Sequence, residues 1–296
     1  MALLMSDVLS LQTQATELAY AGGNFLLEAE LLSRSLIMGE HGRRKAGFGD
    51  HFWQYRPFEN GVDSPRLIDY RRSAQQDYYF VRQLEWKTPA ALHVWIDQSA
   101  SMRFGSKGNV SKHNRAAILI LAAAIAAEKA GERVGLCDVS LPLRRGRTQI
   151  LQMAQKLNQR LEVDYGTKNP AEFSTGSSAL IASDFLDRNN NVEEVLSTAV
   201  DRRVRGVLLQ ILDPLECRFP FRGRTIFQSV LGSVEQDTLQ AADLKHEYKD
   251  RLVARQQRLN NLANMAQWNF LIDDGTLAPI IVLSKIYQFL SKGRFG

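Results

Sequence analysis

Three oxygen-bearing side chains, Asp97, Ser99 and Ser101, stand at alternate positions in the segment IDQSASM. A carboxylate and two hydroxyls at this spacing can converge on one hard cation through oxygen, as magnesium or calcium sites require. Magnesium tolerates few protein ligands and keeps its waters, so Asp97 would ligate directly or through water. The same residues could instead cap a turn, with the Asp97 carboxylate accepting from a nearby backbone N–H. What favours the metal reading is the setting: the loop follows a nearly continuous apolar run, Ala91–Ile96, and precedes a long helix-forming stretch.

That setting defines the elements that must position the loop. Ala91–Ile96 reads as a strand covered on both faces. Lys112–Ala130 is an alanine- and isoleucine-rich helix ending at Gly131, Arg133–Val139 a strand and Gln149–Leu161 a helix. Ala179–Ser183, Val192–Val200 and Gly206–Leu212 read as strand, helix and strand. A hairpin-like segment at Arg224–Leu231 and a polar helix at Ala241–Met265 follow, then a strand at Trp268–Ile272 and a helix at Pro279–Leu290. Alternating strands and helices predict an α/β fold, a doubly wound, mainly parallel, Rossmann-like sheet in which ligands sit outside the carboxyl ends of the strands. Ahead of it lies an N-terminal extension. Residues 6–38 are predicted helical with a break at Gly22-Gly23, residues 41–50 form a basic, glycine-rich loop, and Phe52–Phe58 and Tyr78–Trp86 are β-favouring. The expected division is 1–88 for this helical and β-rich extension and 89–296 for the α/β domain.

Bulk properties narrow the function classes. The 296 residues are 45% apolar and 23% charged, as in ordinary globular proteins. The net charge of +5 is spread along the chain rather than concentrated, which argues against nucleic acid. Cys137 and Cys217 are too few for a disulfide framework or a thiolate cluster. No basic start is followed by a long apolar stretch, and the longest apolar run, Ala116–Ala127, is too short to span a bilayer, so stable membrane insertion is not expected and cytoplasmic residence is. The histidines do not fall at metal-ligand spacing or in an acid–base motif, and a serine without an activating base is a poor nucleophile. No phosphate-cradling Gly-x-x-x-x-Gly-Lys-Ser/Thr occurs, so any ATP hydrolysis should reside in a partner.

The segment VWIDQSASM (Val94–Met102) resembles the metal-ion-dependent adhesion site of the von Willebrand factor A superfamily. That resemblance implies an aspartate and a threonine from later loops as further ligands. The aspartate corresponds to Asp184 in LIASDFLD, at the end of a later strand. For the threonine, Thr148 is in the right order but lacks the usual glycine pair, and a helix N-cap role is an equal alternative. A second resemblance covers residues 25–290. YRPFENGVDSPRLIDY (Tyr55–Tyr70), then Arg71, Ala74 and Val81-Arg82, and later Asp213-Pro214-Leu215-Glu216 with Phe219-Pro220-Phe221, resemble the signature of domain-of-unknown-function family 58. Here Val62 separates Gly61 from Asp63, and Tyr70 stands where tryptophan is usual.

The resemblance implies a metal-dependent adaptor or co-chaperone-like module. Its partners would be a MoxR-type AAA+ ATPase and protein clients, and no catalytic reaction is established for such domains. The implied site is Asp97, Ser99, Ser101, Asp184 and Thr148 around magnesium, with manganese or calcium as alternatives. The charged cluster Asp63, Arg66, Asp69 and Arg71 would form a structural latch or a partner-docking edge. A metal-dependent hydrolase, or a scaffold of the same fold that binds no metal, are the alternatives.

Overall fold

The computed structural model describes residues 27–36, 52–58, 68–74, 79–84, 91–137, 141–157, 172–187, 192–233 and 235–292. The chain divides into two units, one formed by residues 1–40 with 90–296, the other by 41–89. The second join lies at 89/90, beside the expected division at 88/89. Helix α1 (27–36), however, counts with the α/β unit, where Ala29 and Leu36 enter its core.

In the smaller unit, β1 (Phe52–Pro57) and β2 (Phe80–Leu84) pair antiparallel. The short helix α2 (Tyr70–Ser73) lies between them in sequence. The Asp69 amide donates to Phe80 O, the Ser73 hydroxyl to Asp69 O, and the Phe80 amide to Ser73 Oγ. Asp69 thus helps close the loop at the backbone level, while Arg71 is exposed. Asp63 and Arg66 lie outside the described residues.

The larger unit is built on five parallel strands: β3 (Ala91–Ile96), β4 (Arg133–Leu136), β5 (Ser178–Ser183), β6 (Arg205–Ile211) and β9 (Asn269–Asp273). They lie side by side in the order β4-β3-β5-β6-β9. The two faces of the sheet are both apolar, which is why these strands read as continuous apolar runs rather than alternating ones. The period-2 alternation of side chains sorts them into two cores. Leu92, Val94 and Ile96 of β3, Leu180 and Ala182 of β5, and Val207, Leu209 and Ile211 of β6 face α3 (Lys112–Lys129), α4 (Arg147–Leu157) and α8 (Pro279–Lys292). Ala179, Ile181 and Leu208 face α5 (Val192–Asp201) and α7 (Ala241–Met265), around the fully buried indole of Trp268. Helix α3 is buried continuously from Ala116 to Ala127, because it runs against the sheet beside both α4 and α8.

Strand order creates a switch point. The step β3→β4 runs one way across the sheet, and β5→β6→β9 runs the other. Right-handed crossovers therefore put α3 on one face and α5 and α7 on the opposite face. The chain leaves the neighbouring strands β3 and β5 in diverging directions, the arrangement at which open α/β sheets bind ligands, at the carboxyl ends of the strands. A short helix α6 (Pro214–Arg218) and the hairpin β7 (Thr225–Gln228) with β8 (Glu235–Thr238) follow β6. The hairpin is longer than expected, reaching 238. No helix of the described residues is long and apolar enough to cross a membrane.

Candidate functional site

The loops after β3 and β5 meet at the switch point. The Asp97 amide extends the sheet by donating to Ala182 O (2.9 Å), so Asp97 and Ser183 sit across from one another. Asp97 Oδ1 accepts from the Ser99 amide (2.9 Å), closing a turn, and Oδ2 accepts from the Ser183 hydroxyl (2.8 Å). Asp97, Ser99, Ser101 and Ser183 are all buried. A single 3-10 turn, Ala100–Arg103, carries Ser101 back toward Ser99, and their hydroxyl oxygens are 3.0 Å apart.

That separation bears on the cation reading. Two oxygens at adjacent vertices of an octahedron, each about 2.1 Å from magnesium, stand about 3.0 Å apart. The Ser99 and Ser101 hydroxyls, hydrogen-bonded to each other at this distance, are also spaced as neighbouring ligands would be, with Asp97 held in the same loop. Among the described residues, no three His, Cys, Asp or Glu side chains gather closely enough to hold a metal by themselves. An ion here would rest on hydroxyls and water as much as on carboxylate.

Asp184 follows Ser183 directly and is equally buried, but both of its oxygens are engaged. Oδ1 accepts from the Leu186 amide (3.1 Å) and Oδ2 from the ammonium of Lys112 (2.9 Å). Lys112 opens α3 and is only 2% exposed; its ammonium also donates to Glu216 Oε1 (2.7 Å). Burial by itself would lower the Lys112 pKa, but Asp184 and Glu216 together outweigh it and hold the amine above its ordinary value, protonated. Burial raises the Glu216 carboxyl despite Lys112 beside it. Glu216 is in turn fixed by a capping box: Oε2 accepts from the Asp213 amide, while Asp213 Oδ1 accepts from Leu215 N. Asp213 Oδ2 takes both the amide and the hydroxyl of Ser106 at 2.9 Å, tying the loop before α3 to α6.

The other side of the Asp184 loop is held by α7. Phe185 is buried with φ of 52°, a left-handed conformation costly for a bulky residue. Its amide donates to Ser183 Oγ, and Arg255 donates to the carbonyls of Phe185 (3.0 Å) and Asp187 (2.6 Å). Gln210, fully buried on β6, donates to Asp184 O and accepts from Gln256 of α7.

Thr148 is not brought to this cluster. After β4 the chain doubles back, with Leu136 N donating to Leu141 O and Val134 pairing antiparallel with Arg144. Helix α4 therefore starts beside the amino end of β4 and climbs toward the Asp97 end, where Gln98 Nε2 donates to Lys156 O (3.2 Å). Thr148, exposed in the first turn of α4, lies about 12 Å of helix rise below Lys156.

Lys112, Ser183, Glu216 and Arg255 carry no local signal as site residues, because each meets its partner from a distant part of the chain. Asp213-Pro214-Leu215-Glu216 carried a readable signal, since an Asp followed three residues later by Glu with Pro at the first helical position is a helix start. A hollow of about 300 Å³ lies at the opposite end of the sheet, between Ser178, Gly206, Asn269 and Phe289, and is separate from this cluster.

Comparison with curated proteins finds no match. Among solved structures, the chain is similar to the conserved hypothetical protein BatB from Bacteroides thetaiotaomicron, at 13% identity and a TM-score of 0.41, covering 69% of this chain and 99% of that one. It is also similar to an uncharacterized membrane spanning protein from Vibrio fischeri, at 15% identity and a TM-score of 0.20, covering 68% and 96%. The family described as "Protein of unknown function DUF58" matches residues 54–258. With more than half of its length inside that match, the chain belongs to the DUF58 family.

Proposed function

We propose that the α/β unit is a von Willebrand factor A-like binding module whose Asp97, Ser99 and Ser101 hold a magnesium ion, with Asp184 as a further ligand. A coordination position left open would then be filled by a carboxylate of a protein partner. The observation that carries this reading is the 3.0 Å spacing of the two buried serine hydroxyls beside Asp97, at the sheet's switch point. Hard, incompletely ligated cations attract external oxygen ligands, which is how such a site would bind a partner's carboxylate. The family resemblance supplies the partner class: a MoxR-type AAA+ ATPase, with its protein clients, in the cytoplasm. In this reading the chain is not itself an enzyme.

The test is binding of Mn2+ or Mg2+ to the full chain, followed by capture of the ATPase with and without chelator. Asp97→Ala should abolish both ion binding and ion-dependent capture. Capture that is indifferent to Asp97→Ala and to chelator would refute the adaptor mechanism.

A second reading is a scaffold of the same fold that takes no metal, favoured by one observation: the Lys112 ammonium already neutralises Asp184. It expects partner capture without any ion dependence.

A further inference from the structure

We propose that Lys112 is a tethered internal cation that competes with a divalent ion for Asp184 and passes the outcome of that competition to α6 through Glu216. The inference rests on the metal-binding reading above and concerns how that site is regulated.

The geometry sets up the competition. Lys112 reaches Asp184 and Glu216 at 2.9 and 2.7 Å, so one ammonium is shared between a carboxylate on the loop after β5 and one on α6. Its backbone is anchored at the start of α3, where its amide donates to Phe104 O and Ser111 caps the helix by accepting from Asn114 N. The side chain is buried within reach of both carboxylates, so its weight can shift from one to the other. A divalent ion and an ammonium cannot both sit against one carboxylate oxygen, because like charges at contact distance in a buried site repel strongly. For Asp184 to ligate through Oδ2, Lys112 must give up that oxygen and keep only its contact with Glu216.

Glu216 is a suitable receiver because it is not free to follow. Its other oxygen is held by the Asp213 amide, and Asp213 grips Ser106. Ion binding at Asp184 would therefore tighten the Lys112–Glu216 contact and, through Asp213, the loop that precedes α3. Loss of the ion would return the ammonium to Asp184 and keep the buried carboxylate neutralised, avoiding the cost of an unpaired buried charge.

Mn2+ binding to the full chain, read by electron paramagnetic resonance of the free ion, tests this. Lys112→Met keeps the volume and removes the competitor, so Mn2+ should bind at least about tenfold more tightly than to wild type. Adding Asp184→Asn should erase the gain. Glu216→Gln leaves Lys112 with Asp184 alone and should weaken Mn2+ binding severalfold. Wild-type binding with no gain in Lys112→Met, or with no loss in Glu216→Gln, overturns the competition while leaving the metal reading intact. Absence of Mn2+ binding in wild type and in Lys112→Met alike overturns both. If Lys112→Met does not fold, the direction of the Glu216→Gln change decides.

Discussion

Ser183→Ala separates the groups that build the site from those that would use it. The Ser183 hydroxyl donates to Asp97 Oδ2 at 2.8 Å and accepts from the Phe185 amide at 3.0 Å, in a fully buried position. Removing it deprives a buried carboxylate of a donor and a buried amide, in a left-handed residue, of its acceptor. A hydrogen bond to a charged group contributes about 1.5–3 kcal/mol, and the stranded amide adds to the loss. A destabilisation of about 2–3 kcal/mol lowers the Tm of a domain this size by roughly 4–12 °C. Ser99→Ala is the contrast, since its hydroxyl makes a neutral bond to Ser101, contributing about 0.5–1.5 kcal/mol. Thermal unfolding and Mn2+ titration of both variants should give opposite rankings. Ser183→Ala should lose more stability, whereas Ser99→Ala should lose the larger share of Mn2+ affinity, about tenfold or more for a lost ligand. Equal stability losses, or an unchanged Tm in Ser183→Ala, would refute the assignment of Ser183 as the residue that orients Asp97.

Thr148→Ala should leave Mn2+ affinity within about twofold of wild type, since Thr148 sits at the other end of α4; a loss comparable to Ser99→Ala would refute that placement. His93 should make the fold acid-sensitive. Its ring accepts from the Ser174 amide at 3.0 Å, which requires a neutral Nε2, and burial lowers its pKa below the usual 6.5. A depressed pKa means stability that is present above about pH 6.5 and lost as pH falls through the folded value, so Tm against pH should flatten below 6.5 in His93→Gln. Gly206→Ala should destabilise the unit strongly. A methyl there would stand 2.3 Å from Ala179 O and under 3 Å from the Trp268 ring, so β5, β6 or the indole must move, and the urea midpoint should drop clearly rather than rise as for an ordinary glycine-to-alanine change.

Much of the fold was legible because its signals are local. Continuous apolar runs marked β3, β5 and β6, and alanine-rich or amphipathic stretches marked α3, α5 and α7 close to their observed bounds. The expected strand Arg133–Val139 ends at Leu136 among the described residues, since Leu136 N turns to Leu141 O and the chain reverses. That reversal, set by a backbone pairing with Arg144, is what moved Thr148 away from Asp97. Of the charged cluster in 63–71, the Asp69 amide and carbonyl both make hydrogen bonds within the smaller unit and Arg71 is exposed.

That a carboxylate and two hydroxyls leave a buried strand at alternate positions is legible from the residues alone, because spacing along one loop depends only on neighbouring residues. So is the position of Asp184 at the end of a later strand. Tertiary structure decided which strands are neighbours. The order β4-β3-β5-β6-β9 brings Ser183 against Asp97, 86 residues away, and α3 brings Lys112 against Asp184, 72 residues away. Strand order and helix placement follow from how two apolar faces are buried at once and from the handedness of crossovers, and local periodicity carries no record of either. The ammonium beside Asp184, which changes what that carboxylate can bind, is for that reason a property of the fold rather than of the motif.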